Sequence, residues 1–227
     1  MSGVTQATFM NQRSFGEPAP TVIGQAYGGG FYAGQIGVSG TATHYLVTAP
    51  KSSGETGNYT TTIKYKNANT GVPGAASDID GPQNTADMVA DGNSTVYPAA
   101  HFCNDLVIGA FTDWYMPARN ELEVCYYNLK PGTQTNYTSS GINANSVPER
   151  TSNYTGGTPA RTSATVFRTG NAEAFVESTG KYWASTEATN PFGALTQYFE
   201  DGRQSGTYYG AAKDNNYRVR AVRRVAV

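Results

Sequence analysis

An α+β fold, with helices near the middle of the chain and antiparallel strands on both sides, is predicted by three observations. Leu122, Cys125, Tyr126 and Leu129 fall at i, i+3, i+4 and i+7 and make one apolar helical stripe. Asp201-Gly202, set between two alternating runs, is a hairpin signal. Between these elements lie long stretches of Gly, Ser, Asn and Thr, which predict long loops.

Residues 1–22 read as an N-terminal arm. They are polar, contain Pro18 and Pro20, and have only Phe9, Met10 and Phe15 as scattered apolar anchors. Proline-rich segments stay extended and hold a connection at a distance, so an attachment or trimerisation segment is expected here. The body is expected over 23–227. Gly28-Gly29-Gly30 turns the chain into a strand at Phe31-Tyr32-Ala33-Gly34, and His44 to Ala49 makes the next strand before Pro50. Residues 51–83 are small and polar, apart from the strand-like Thr62-Ile63-Lys64-Tyr65.

Two helices follow. Ala99, Ala100, Phe102, Cys103, Leu106 and Val107 space a first helix over 97–108, with a lead-in turn at Asn84 to Ala90. The second starts after Pro117, a favoured first-turn residue, and stops at Pro131-Gly132; Arg119, Glu121 and Glu123 lie off its apolar stripe. Residues 133–172 carry little apolar pattern beyond Val166 and Phe167. They are too long for a plain connection in a compact domain, and an elaborated surface loop or a set of short hairpins is expected, as an insertion. The remainder reads as strands at Lys181 to Thr186, Ala194 to Glu200 and Tyr217 to Val225.

Charged residues make up 15% of the 227, against about 25% in a typical soluble domain. In their place stand 26 Gly, 16 Tyr and many hydroxyl and amide side chains. Antibody paratopes use the same mixture, Tyr giving contact area at low entropy cost and Ser, Gly and Asn adapting their hydrogen bonds. The net charge of −1 gives no general attraction to nucleic acid or to an anionic membrane. No apolar run approaches the roughly 18 residues of a membrane-spanning helix. Met1 to Pro20 has neither the positive start nor the apolar core of a secretory signal. An adhesive composition without an export signal suits a protein assembled in the cytoplasm into a particle. Cys103 and Cys125 lack metal spacing and are expected as buried free thiols.

Three ordered blocks carry a resemblance. Thr112-Asp113-Trp114-Tyr115-Met116-Pro117-Ala118-Arg119-Asn120-Glu121-Leu122 leads into Tyr127-Asn128-Leu129; Tyr182-Trp183-Ala184-Ser185-Thr186-Glu187 follows; Asn215 to Arg224 closes the chain with Arg218-Val219-Arg220-Ala221-Val222-Arg223. Together they resemble the collagen-like-adhesin C-terminal (Lcl-type) domain family, whose pattern is DWYLPS-x-x-EL…NL, YWSSTE and a terminal RVRAVR strand. Weaker matches upstream extend the resemblance to about residue 23. It implies a C-type-lectin-like fold, two helices packed on a twisted antiparallel sheet with long loops, such as ends many phage tail-fibre proteins. Trp114 and Trp183 would then be core aromatics, Glu121 and Glu187 structural hydrogen-bonding carboxylates, and Arg220 part of a locally paired terminal strand.

Chemistry is not expected. Formylglycine-generating enzymes, which share the broader fold, use a late cysteine pair, and no cysteine follows Cys125. His44 and His101 stand alone without a zinc motif, and the calcium-lectin EPN or QPD loop is missing, so no metal or other cofactor is expected. Asp78 and Asp80 read as solvated turn carboxylates rather than cation ligands.

In the implied fold, the segment between the Trp183 strand and the last strand displays variable loops. Here it carries Asn190, Phe192, Gln197, Tyr198, Arg203, Gln204, Tyr208, Tyr209, Lys213 and Asn215. Tyr and Arg dominate binding hot spots, so these ten are the expected ligand-binding residues of a non-enzymatic module. The expected partner is a host cell-surface glycan or protein, with other virion proteins held through the arm. A homo-oligomer, possibly a trimer, in a virion tail or fibre would add avidity. The alternatives are a structural virion component and a bacterial surface adhesin.

Overall fold

The computed structural model describes residues 17–56, 63–178 and 180–227. The apolar anchors of the arm, Phe9, Met10 and Phe15, and Thr62 of the short strand lie outside the described residues. Where the arm is described, Glu17 accepts from the Gly28 N–H at 3.1 Å and Pro20 is buried.

In chain order the elements are β1 (Ala26–Tyr27), β2 (Gly30–Val38), β3 (Thr41–Thr48), α1 (Lys51–Gly54), β4 (Ile63–Lys64), α2 (Gly81–Asp91), α3 (Pro98–Asn104), α4 (Arg119–Leu129), β5 (Ser146–Val147), β6 (Lys181–Glu187), β7 (Gly193–Tyr198), β8 (Ala211–Ala212), β9 (Asn216–Tyr217) and β10 (Val222–Ala226). The main sheet runs β1-β2-β3-β10, with β5 added on β2; β6-β7-β8 form a second sheet and β4-β9 a third, all antiparallel. The pairing of Leu46 with Arg224 and Val47 with Arg223 joins the early strands to the end of the chain.

Period-two alternation gives the main sheet two buried faces. Tyr32 and Val47 enter one apolar cluster with Cys103, Trp114 and Trp183; their neighbours Ala33 and Leu46 enter a second with Leu122, Cys125, Tyr126 and Leu129. β6 is divided in the same way, Trp183 to the first cluster and Tyr182 and Ala184 to the second. In the second cluster Phe175 and Phe199 stack at 3.9 Å between centroids, and Tyr182 meets Phe199 edge-on at 4.9 Å. Helix α4 lies against β2 at Gly34, where a Cβ would stand 2.4 Å from Asn128 Nδ2. That amide donates to the Ala33 carbonyl at 2.7 Å, at the register shift of β2.

Several local expectations change. Four α-helices, not two, occur among the described residues: the lead-in at 84–90 is an eleven-residue helix, Gly81–Asp91, capped by Asp80, and the short α1, Lys51–Gly54, lies in the stretch expected as loop. The first expected helix ends at Asn104 instead of 108: Ile108 and Phe111 close a tight bridge around Gly109 at φ +62°, and Val107 is exposed. The last strand is broken into β9 and β10, with Val219 and Ala221 in the first cluster. Glu121 and Glu123, off the apolar stripe, are nonetheless fully buried: residues 133–172 cover Glu123, while Tyr115, Arg224 and the start of α2 at Gly81 enclose Glu121.

The terminal arginines hold this arrangement together. Arg220, 1% exposed, donates to the Ala49 carbonyl at 2.9 Å and the Glu173 carbonyl at 2.7 Å, pairs with the Glu173 carboxylate at 2.5 Å, and lies 3.5 Å from Glu55. Its guanidinium packs over Phe175 and Phe167. Burial pushes the Glu55 carboxyl up, against the pull of Arg220, Lys51, Tyr182 and Arg218. Breaking a buried pair leaves an uncompensated charge. Arg220→Ala is therefore expected to cost about 3–5 kcal/mol in urea unfolding at neutral pH; a cost under about 1 kcal/mol would contradict the assigned role.

Cys103 and Cys125 are free and buried, and burial pushes both thiols up. Since the thiolate is the reactive form, the folded protein is expected to resist an aromatic disulfide reagent and to release two equivalents of thiol only in denaturant. Rapid reaction of either cysteine in the native state would contradict this placement.

Candidate functional site

Three structural carboxylate networks set the loops in place. Glu121 accepts from the Ala118 N–H at 2.8 Å, at the start of α4, and pairs with Arg224 at 2.8 Å; the Tyr115 hydroxyl also donates to it. Glu123 is the anchor of the 133–172 segment: the Tyr154 hydroxyl donates to it at 2.6 Å, Asn143 Nδ2 at 2.5 Å, and Arg150 closes an ion pair. Glu187 accepts from the Val72 N–H at 2.8 Å and from the Lys213 ammonium. The networks of Glu121 and Glu187 share no member, and each carboxylate is already engaged by protein donors. Trp183 is fully buried and donates from Nε1 to the Ile63 carbonyl at 2.9 Å; Trp114 is 2% exposed in the same cluster.

The ten loop residues singled out by the sequence do not form one surface. Phe192, Tyr208 and Tyr209 stand at a tip, 61%, 57% and 73% exposed. Two loops build it: the Asn190 N–H donates to the Tyr208 carbonyl at 2.7 Å and the Thr189 N–H to the Thr207 carbonyl at 2.9 Å. The two tyrosine rings meet edge-on at 4.6 Å. Arg203 and Tyr198 form a second group, in which the guanidinium lies over the Tyr137 ring at 4.6 Å and the Tyr198 ring at 5.9 Å. Asn215 is exposed in the turn before β9.

Two of the ten point inward. Lys213 is fully buried, its ammonium bonded to the Thr70 carbonyl at 2.7 Å, the Pro191 carbonyl at 2.8 Å and Glu187. Gln197 is 1% exposed and donates from Nε2 to the Gly202 carbonyl at 2.7 Å. Both therefore fix the bases of the loops rather than their outer face. A hydrophilic residue type says little about burial once its polar atoms find partners.

Gln204 belongs to a different feature, a cleft of about 490 Å³. Its walls are Arg119 and Asn120 of α4, residues 139–144 and Asn153, and residues 204–207. The Gln204 N–H donates to Ser140 Oγ at 3.2 Å and Asn143 Nδ2 to the Asn120 carbonyl at 2.8 Å, so the walls are tied together at their base. Arg119 Nη1 lies 3.4 Å from Asp78, while Asp80 caps α2 by accepting from the Gln83 N–H at 3.2 Å. Among the described residues no cluster of three or more His, Cys, Asp and Glu is placed to hold a metal. The sequence offered no signal for this cleft, because Asn120, Asn143 and Asn153 lie on a helix end and in a loop without periodicity.

Burial pushes the Glu121 carboxyl up, opposed by Arg224. A carboxyl raised on folding adds stability that is full below its unfolded value, 4.5, and is lost as pH rises through the folded value. Glu121→Gln has no such titration. The stability of the wild type relative to Glu121→Gln is therefore expected to fall as pH rises from 4.5 towards neutrality, read by urea unfolding across that range. A constant difference, or one that grows, would sink the assignment.

No curated protein and no solved structure matches the chain. The family model of the Lcl C-terminal domain matches residues 66–223, more than half of the chain and including all three sequence blocks up to Arg223. β1 to β3 lie before the match, yet they supply the sheet partners of β10. With the aromatic blocks in the core and the terminal arginines paired beneath the loops, the chain belongs to the Lcl C-terminal domain family, an adhesin-like module.

Proposed function

We propose that this chain is a non-enzymatic receptor-binding module on a C-type-lectin-like scaffold, of the kind that ends a phage tail fibre. The partner is a host cell-surface glycan or protein. The observation that carries this reading is the tip formed by Phe192, Tyr208 and Tyr209: three large aromatic side chains, each more than half exposed, on two loops bonded to each other and to a rigid sheet. Exposed aromatics on a fixed frame offer contact area without an ordering cost, as in paratopes. Assembly as a homo-oligomer, with the arm attaching it to other virion proteins, would add avidity. Internal use of the charged groups also favours recognition over catalysis and over nucleic-acid binding. Arg220, Arg223 and Arg224 are committed to Glu173, Asp113 and Glu121, and the motif carboxylates to protein donors.

A bacterial surface adhesin is the second reading, favoured by the family match alone. Both readings expect the tip to bind cells; a structural virion component expects no adsorption. The double variant Tyr208→Ala/Tyr209→Ala removes two exposed rings, so its thermal midpoint should match the wild type. Its adsorption to host cells should fall at least about tenfold, as for hot-spot residues. Unchanged adsorption by the folded variant would reject this tip as the contact surface.

A further inference from the structure

Three runs without a charged side chain, residues 131–148, 151–160 and 204–212, meet at the cleft beside α4. The first supplies residues 139–144 of its lining, the second Asn153 and the third residues 204–207. The chain has 16 Lys and Arg and 17 Asp and Glu. Among the described residues Arg119 alone lines the cleft with a charge, and Asp78 opposes it at 3.4 Å. The aromatic tip continues this face. Thr207 ends the cleft's wall and Tyr208 is the next residue. The Thr207 and Tyr208 carbonyls accept from the N–H groups of Thr189 and Asn190, on the loop that carries Phe192. That loop belongs to a fourth charge-free run, residues 188–199.

A charged ligand would find no free counter-charge here, and desolvating an unpaired charge is costly. The cleft offers hydroxyls and amides instead, from the exposed Ser139, Asn153 and Thr207. Beside them lies apolar surface: Ile142, 55% exposed in the cleft's wall, and the three rings of the tip. A pyranose has the matching chemistry, with hydroxyls that both donate and accept and C–H faces that suit the negative face of an aromatic ring. The concavity, about 490 Å³, lies in the range of small-molecule sites. Its walls are tied together by the chain's own bonds, from the Gln204 N–H to Ser140 Oγ at 3.2 Å and from Asn143 Nδ2 to the Asn120 carbonyl at 2.8 Å. A wall fixed in advance lowers the ordering cost of binding.

We infer that cleft and tip form one continuous binding face for an uncharged oligosaccharide, with one sugar unit in the cleft and its neighbours over Tyr208, Tyr209 and Phe192. The inference rests on the reading of the tip as the contact surface, and it names the chemistry of the ligand.

An array of neutral and acidic oligosaccharides of graded length supplies the first readout. Neutral chains of more than one unit should bind, and acidic chains should not. Calorimetric titration of the best neutral chain should give an affinity that is constant from about 0.01 to about 1 M salt. The corresponding monosaccharide should bind at least about tenfold more weakly. Gly206→Trp obstructs the cleft: a Cβ at this position meets nothing within 4 Å, so the thermal midpoint should match the wild type. It should weaken the oligosaccharide at least about tenfold, and so should Tyr208→Ala/Tyr209→Ala. Asn153→Ala, which removes an exposed amide from the wall, should act in the same direction as Gly206→Trp. Binding of no neutral chain, equal binding of acidic chains, equal affinity for the monosaccharide, or an affinity lost with salt would each overturn the inference. So would full affinity in Asn153→Ala and Gly206→Trp, or in the tyrosine variant. Loss of cell adsorption in the tyrosine variant with no oligosaccharide bound, as for a protein receptor, overturns the inference and spares the receptor-binding reading. Oligosaccharide binding through the tip, with cell adsorption independent of it, does the reverse.

Discussion

A buried charge must be met by a partner, and the C-terminal arginines meet that demand for distant parts of the chain. Arg224 pairs with Glu121 at the head of α4, Arg223 with Asp113 in a bidentate contact at 2.7 and 2.8 Å, and Arg220 with Glu173 and Glu55. Guanidinium suits this task because it is planar, always charged, and able to lie on aromatic faces. Arg223 does so over Phe111 at 4.0 Å, and its remaining nitrogen reaches the Gly28 carbonyl at 2.9 Å. Each arginine thus ties the C-terminal segment to a different part of the chain, while β10 itself is zipped to β3.

The same logic, on a smaller scale, orders the long segment after α4. With almost no apolar periodicity it could not fold as helix or strand on its own. It is fastened instead by Glu123, on which Asn143, Arg150 and Tyr154 converge, and by Lys130, whose ammonium reaches Asn136 at 2.7 Å and the Pro159 carbonyl at 3.4 Å. Apolar contacts finish the job where Tyr154 meets Tyr126 and where Phe167 enters the stack with Phe175. Exposed pairs such as Arg203 with Asp201 contribute little by comparison.

The large exposed aromatic side chains Phe192, Tyr208 and Tyr209 lie where this framework stops. The β6-β7-β8 sheet carries its aromatic tip on loops that are bonded to each other, so the rings are presented rather than searched for. The cleft lies beside it, walled by α4, the 133–172 segment and the loop after Gly202. Aromatic stacks and paired charges together build the interior, while Phe192, Tyr208, Tyr209 and the amide and hydroxyl groups of the cleft face outward.

The α4 stripe, the Trp183 strand, the hairpin at Asp201-Gly202 and the buried thiols were legible from residue order, because each is a local pattern of apolar spacing or turn chemistry. The family was legible too, from three blocks whose order and content are specific. Burial of Glu121, Glu123, Gln197 and Lys213 was not. A polar side chain is exposed or buried according to what a distant segment lays over it, and neither periodicity nor composition records that. Tertiary structure alone therefore decided which of the ten loop residues face outward, where the helices begin and end, and that Arg119, Asn143 and Gln204 share a cleft.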